Sequence, residues 1–276
     1  MAKTSTRSSK RAWLSGLPGR RLPLLMGVLN VTPDSFYPGS RVSDHGEAVE
    51  RGLKMVEEGA EMLDVGGQST RPGSEAVSAD EELRRVIPVI ERLAARVEVP
   101  ISIDTDKPAV ARAALAAGAT VVNDITGLRR PEIAEGAEAV IVMHMLGDSP
   151  KTMQDNPVYQ DVVGEVKSFL AERSRRAGCP VLVDPGIGFG KTLEHNLELI
   201  RRVDELSAIG PVVLGVSRKS FLGRLLGDPA KHGPEARLEG SLAVACWAAL
   251  KGVKVLRVHD VEATRRALVT WSALNQ

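Results

Sequence analysis

The sequence predicts one (β/α)8 barrel, an α/β TIM-type fold with an N-terminal extension, and three observations predict it. From Leu24 onward, short apolar runs alternate eight times with amphipathic stretches. The runs are continuously rich in Val, Ile and Leu rather than alternating polar and apolar, as expected of parallel strands covered outside by helices. The long Gly/Pro/Ser-rich loops follow the runs, on the face where barrel enzymes keep their sites. A doubly wound sheet is the alternative, but it would rarely use eight such evenly spaced repeats.

In chain order the strands are expected at Leu24–Val31, Met62–Gly67, Pro100–Thr105, Thr120–Thr126, Ala139–Met145, Pro180–Gly186, Pro211–Ser217 and Lys254–Asp260. Between them, apolar residues recur at helical spacing. Val49, Leu53, Val56 and Ala60 share a face, as do Leu83, Val86, Ile87, Ile90 and Ala94. Ser78 with Glu81 three residues on suggests a capping box for the second of these, and Pro88 inside it predicts a kink or a late start. A short Ala-rich helix is expected over 109–118. Others are expected at Asp161–Gly178, from Leu193 to Asp204, at Leu238–Leu250 and from Val261 to Trp271.

A chain of 276 residues with 43% hydrophobic content can bury a barrel-sized core. Lys and Arg number 36 against 35 Asp and Glu, so bulk charge gives no reason to expect nucleic acid as a partner. No apolar run approaches the roughly 20 residues that cross a bilayer. Cys179 and Cys246 lack metal-ligand spacing and read as buried thiols of a reducing compartment, hence a cytoplasmic location. Residues 1–21 are basic, Ser-rich and free of acids, and are expected to be a flexible terminus. A transit peptide shares that composition, but the apolar face is poor. Residues 22–276 form the barrel, and Arg11–Pro23 is expected to plug its bottom as a hairpin.

Function is sought at the carboxyl ends of the strands. These carry Asn30 and Asp34; Asp64, with Thr70 and Arg71 beyond it; Asp104; Asn123 and Asp124; His144; Asp184; Ser217, Arg218 and Lys219; Arg257 and His259. In a closed barrel such groups converge on one mouth, and the cost of burying them without partners implies a ligand pocket. The segment Asp184-Pro-Gly-Ile-Gly-Phe-Gly-Lys191 stands out. A strand there delivers a carboxylate and then a loop whose backbone can approach a ligand closely. Carboxylates and Asn suit an amide- and amine-rich heterocycle, leaving a basic cluster for an anion. Asp64 is balanced between ligand and support, and His144, between two methionines, reads as a supporting histidine.

Eight segments, in order over about 240 residues, resemble the dihydropteroate synthase family. They are Met26–Phe36, Asp64–Gly73, Ser102–Thr105, Asn123–Ile125, Met143–Met145, Asp184–Lys191, Ser217–Ser220 and Arg257–Asp260. The resemblance implies a (β/α)8 barrel that condenses (7,8-dihydropterin-6-yl)methyl diphosphate with 4-aminobenzoate. The products would be 7,8-dihydropteroate, for folate synthesis, and diphosphate, and sulfonamides would compete with 4-aminobenzoate. By position, Asp104, Asn123, Asp184 and Lys219 would hold the pterin, with Thr70 and Arg71 contributing from a loop. Arg257 and His259 would bind diphosphate. Asn30 would help and would contact Mg2+, the expected cofactor. Phe189, Lys219 and Ser220 would flank 4-aminobenzoate. Asp104, Lys219 and Arg257 would carry catalysis, and Thr32–Ser40 and Ser69–Gly73 would close over the substrates.

The family is usually dimeric, and the small-residue stretch Gly240–Ala249 with Trp247 suits a homodimer contact. Two departures stand out: Gln68 where the family usually has Glu, and Tyr37-Pro38-Gly39 where Ser-Asp-Gly is common. A pterin-binding methyltransferase barrel would share Asp104, Asn123 and Asp184 but has no need of the basic cluster. A silent pterin-binding paralogue would be expected to lose Lys219 or Arg257.

Overall fold

The computed structural model describes residues 12–32, 41–69, 76–147, 153, 156–227 and 233–275. Eight parallel strands form the barrel: β1 Leu24–Asn30, β2 Met62–Gly66, β3 Ile101–Asp104, β4 Val121–Asp124, β5 Ala139–Met143, β6 Val181–Asp184, β7 Val213–Leu214 and β8 Val255–Val258. Hydrogen bonding runs in the order β6-β5-β4-β3-β2-β1-β8-β7. A parallel bridge from Val183 to Val212 closes the ring between β6 and β7. The helices are α1 Ala12–Gly16, α2 Arg41–Glu57, α3 Ala79–Ala94, α4 Pro108–Ala117, α5 Val162–Ser174, α6 Leu193–Arg201, α7 Ser220–Leu225, α8 Leu238–Leu250 and α9 Val261–Leu274.

Each strand divides its residues between two cores because successive side chains point to opposite faces. Leu25, Leu29, Leu63, Val65, Ile103, Val122, Val140 and Val142 pack outward against the helices. Leu24, Met26, Met62, Val121, Ala139, Ile141, Leu182, Val213 and Val255 form a separate cluster, which fills the lower lumen. Leu17, fully buried, seals that cluster from below with Trp13 and Leu14. Burying one leucine so completely contributes about 2 kcal/mol. The plug is therefore a helical turn, α1, in place of the expected hairpin.

The sequence signals held unevenly. Ser78 caps α3, its hydroxyl accepting from the Glu81 N–H at 3.2 Å. Glu81 does not complete the box; its carboxylate pairs with Arg84 and Arg85 instead. Pro88 neither breaks α3 nor delays its start at Ala79. Between β4 and β5 the connection is a single 3-10 turn, Pro131–Ala134, rather than a helix. Cys179 and Cys246 are free and half-buried rather than fully buried. No helix among the described residues is long and apolar enough to cross a membrane.

Candidate active site

The lumen changes character one step above its apolar floor. Met62 is followed on the same face by Asp64 and Gly66, Val121 by Asn123, Leu182 by Asp184, and Val255 by Arg257. Ser102 and Asp104 take the same positions on β3. The two-residue strand period thus turns one layer of five strands, β2, β3, β4, β6 and β8, into a shared polar ring. Gly66 and Gly215 leave that ring open. A methyl group at Gly66 would lie 3.5 Å from the Asp104 Cβ, and one at Gly215 would lie 3.7 Å from the Arg257 Cβ and 3.9 Å from Asp184 Oδ2. Any larger side chain at either position would fill the mouth.

Arg257 sits at the centre. Its Nε donates to Asp64 Oδ2 at 2.6 Å and its Nη2 to Asp104 Oδ2 at 2.8 Å. Asn123 Nδ2 donates to the same Asp64 oxygen at 3.1 Å. The Asp64 carboxylate is fully buried. It is the anchor on which both Arg257 and Asn123 are oriented. Asp104 keeps its other oxygen, Oδ1, buried and without a hydrogen-bond partner. Burial pushes the Asp104 carboxyl upward against the pull of Arg257. A buried acceptor left open in this way is suited to ligand N–H donors.

Asp184 stands across the lumen at the end of β6. Its Oδ1 accepts from the Gly186 N–H at 2.7 Å. Burial raises its pKa, with Lys219 opposing. The loop that follows doubles back over the end of β5. Gly186, at φ +66°, packs so tightly on the His144 carbonyl that a Cβ would lie 1.8 Å from its oxygen. Only glycine fits there.

Lys219 caps that loop from β7, its amine donating to the Ile187 carbonyl and lying 4.8 Å from the centre of the Phe189 ring. Burial lowers its pKa to about 8. It follows Arg218, held in the left-handed region at φ 59°. That conformation costs about 1–2 kcal/mol outside glycine. It is pinned by the bond from the Arg218 N–H to Ser241 Oγ at 3.0 Å and by the Arg218 pairs with Asp260 and Glu235. The twist turns Arg218 outward and leaves Lys219 inward.

At the β8 rim, Ser217 Oγ accepts from the His259 N–H at 3.1 Å and lies 3.2 Å from its Nδ1. Burial, helped by Arg257, holds the His259 imidazole well below its usual range and therefore neutral. Asn30, at the end of β1, brings its Oδ1 to 3.9 Å from the Cβ position of Gly66, on the same side as Asp104.

A family model described as pterin binding enzyme matches residues 26–259. The chain is 47% identical over 257 residues to the dihydropteroate synthase of Escherichia coli K12, covering 89% of each. Its structure superposes on the Thermus thermophilus dihydropteroate synthase in complex with 4-aminobenzoate with a TM-score of 0.81 and 47% identity, covering 92% of this chain and 95% of that one. For the Xanthomonas albilineans enzyme in complex with 7,8-dihydropteroate, the values are 0.80 and 44%, over 92% and 94% of the two chains. This chain belongs to the dihydropteroate synthase family. It is, with that family, a pterin-binding transferase.

Against this family background, the expected site residues fall into three groups. Asp104, Asn123, Asp184, Lys219, Arg257 and His259 line one mouth, with Asn30 and Phe189 at its edge. Ser220 is exposed at the first turn of α7, one residue past Lys219. Thr70 and Arg71, with Asp34 and Tyr37, lie outside the described residues. Two strand-end residues face away from the lumen. Asp124 accepts from the Thr126 and Leu128 N–H groups, at 2.8 Å each, and shapes the β4 turn. His144 points outward and meets Lys191 Nζ at 2.9 Å. Lys191 carried no separate signal, because its role depends on a contact 47 residues away.

Gln68 has a defined structural job. Its Oε1 accepts from the Val77 N–H at 3.0 Å and from Lys107 Nζ at 2.8 Å, closing the stem of the loop between them. Lys107 also pairs with the fully buried Glu82 at 2.6 Å and with Asp106 at 3.0 Å. An amide at position 68 spares Lys107 a third carboxylate. Lys107→Ala should destabilise the protein by about 3 kcal/mol, because the buried Glu82 charge loses its partner. Urea unfolding checks this, and adding Glu82→Leu should recover most of the loss.

Proposed function

We propose that this mouth joins 4-aminobenzoate to (7,8-dihydropterin-6-yl)methyl diphosphate, giving 7,8-dihydropteroate and diphosphate. The observation that carries the reading is the buried Asp104–Arg257 pair, which leaves one carboxylate oxygen open and lies close enough to Asp184 and Lys219 for their charges to act on one another. Asp184 and Asn123 take the hydrogen-bonding edge of the pterin, which a carboxylate and an amide match in donors and acceptors. Lys219 donates to the ring and, with Phe189 and Ser220, flanks 4-aminobenzoate. Thr70 and Arg71 are assigned to the same substrates on the family resemblance.

In the reaction the methylene–oxygen bond to diphosphate breaks with its electron pair on oxygen. The aromatic amine nitrogen bonds to the methylene carbon and its proton is released. Cationic character at the methylene is stabilised by Asp104, and the departing negative charge by Arg257 with neutral His259 as a hydrogen-bond donor. No enzyme nucleophile is needed, and neither cysteine is assigned a role.

The donor set fits Mg2+. The Asn30 carbonyl oxygen is a hard ligand beside Asp104, and no group of three His, Cys, Asp or Glu able to hold a metal occurs among the described residues. That suits an ion that keeps its waters and takes further oxygens from substrate phosphate. When bound, it would supply charge neutralisation to diphosphate, with Asn30 as its protein contact. We further propose a homodimer. Trp247 and Leu250 on α8 stay 40% and 59% exposed, and sedimentation at micromolar concentration would report it. The free cysteines fit a cytoplasmic site of action.

The pH profile tests the role of Lys219. A lysine is a charged, strong donor only while protonated, and burial brings the pKa of this one down to about 8. The kcat/KM for the pterin diphosphate should therefore fall as pH rises through that value. Lys219→Arg should move the fall to higher pH. A wild-type profile flat to about pH 9.5 would remove Lys219 from the donor role.

A further inference from the structure

Lys191 is a buried amine that makes no ion pair among the described residues. Only 2% of the residue is exposed, and its Nζ meets His144 Nδ1 at 2.9 Å and the Phe189 carbonyl at 3.0 Å. Burial, the largest influence, lowers its pKa to about 7. Burying an amine costs stability, and the roles assigned above do not use it. Its position explains why it is there. His144 points outward from β5, so Lys191 fastens the far end of the glycine loop to the outer side of the barrel rim. Asp184 holds the near end inside, through Gly186.

Between those two ends, the loop is held through its backbone groups. The Gly188 N–H donates to Asn196 Oδ1 at 2.7 Å, the Gly190 carbonyl accepts from the Tyr159 hydroxyl at 2.9 Å, and the Ile187 carbonyl accepts from Lys219. The Phe189 carbonyl is held by Lys191 alone among the hydrogen bonds described. The Phe189 ring meanwhile packs on Ile125, Met143, Met145 and Met153 at the mouth. Gly190 lies so close to Leu146 that a Cβ there would come 2.4 Å from the Leu146 Cβ, which leaves no room for a side chain.

We propose that Lys191, braced on His144, is a positioning residue that sets the Phe189 ring as one wall of the 4-aminobenzoate subsite. The proposal rests on the assignment of Phe189 to that subsite. Because Phe189 touches the amine substrate and Asp184 the pterin, Lys191 should affect one substrate and spare the other.

The experiment is a kinetic cycle on the full-length protein with Lys191→Met, Phe189→Ala and the double variant, KM being measured for each substrate. Methionine fills the buried volume without charge, so the variant should fold; thermal unfolding within a few degrees of wild type checks this. Lys191→Met should raise the KM for 4-aminobenzoate about tenfold and leave that for the pterin diphosphate within about twofold. In the Phe189→Ala background the same substitution should have almost no further effect. If Phe189→Ala leaves the 4-aminobenzoate KM unchanged, the subsite assignment itself fails. If Phe189→Ala raises it but Lys191→Met does not, or raises both KM values equally, the positioning role is overturned.

Discussion

Arg257→Ala should lower kcat/KM by about a thousandfold or more and destabilise the barrel in the same step. The catalytic loss follows from removing the cation assigned to the leaving diphosphate, in a mouth sheltered from water where such a charge counts most. The stability loss has a separate origin. Arg257 neutralises two buried carboxylates, with bonds of 2.6 Å to Asp64 and 2.8 Å to Asp104. Both would be left without a cation, at a cost of about 3–5 kcal/mol. Arg257→Lys should recover part of the stability but little activity, because one ammonium cannot serve both carboxylates with the geometry of a guanidinium. Steady-state kinetics with urea unfolding of the three proteins separates the two effects. An Arg257→Ala protein as stable as wild type would contradict the bonding described here.

Asp184→Asn should show the opposite stability pattern with a comparable loss of activity. The amide keeps an oxygen for the Gly186 N–H, so the loop should still fold. What disappears is a charged acceptor for the pterin edge, and kcat/KM should fall by about a thousandfold. Burial holds the Asp184 carboxyl above its ordinary range. The folded state therefore binds that proton more tightly than the unfolded chain, and ionised Asp184 opposes folding once pH exceeds its unfolded value. The Asn variant escapes that penalty and should be at least as stable as wild type at pH 7. Calorimetric titration with the pterin diphosphate, with thermal unfolding alongside, would check both halves. Loss of stability with binding intact would reassign Asp184 to a structural role.

Much of this architecture was legible in the sequence because barrel strands announce themselves twice. Runs such as Ala139–Met143 are apolar on both faces, and the polar residue that ends a run, as in Asp104 or Asp184, marks the mouth. The two-residue period also separates Asn123, which enters the lumen, from Asp124, which turns outward to shape its loop. Less was legible where a side chain's role depends on a distant partner. Nothing near Asp64 shows that it orients Arg257 from across 193 residues, and nothing near Lys191 indicates His144. The N-terminal plug was misread in shape because Trp13, Leu14 and Leu17 suit a helical turn and a hairpin equally well as an apolar pattern. His195 likewise owes its place to a partner, completing the cap of α6 by accepting from the Thr192 N–H at 3.3 Å.

The most direct test of the proposed reaction is product stoichiometry. The purified protein would be incubated with pterin diphosphate, Mg2+ and 4-aminobenzoate, and diphosphate and 7,8-dihydropteroate would be measured in the same samples. The condensation predicts that the two appear in equal amounts, that both require 4-aminobenzoate, and that both are lost in Lys219→Ala and Arg257→Ala. Pterin binding with neither product formed would contradict it, as would diphosphate release that continues without the amine.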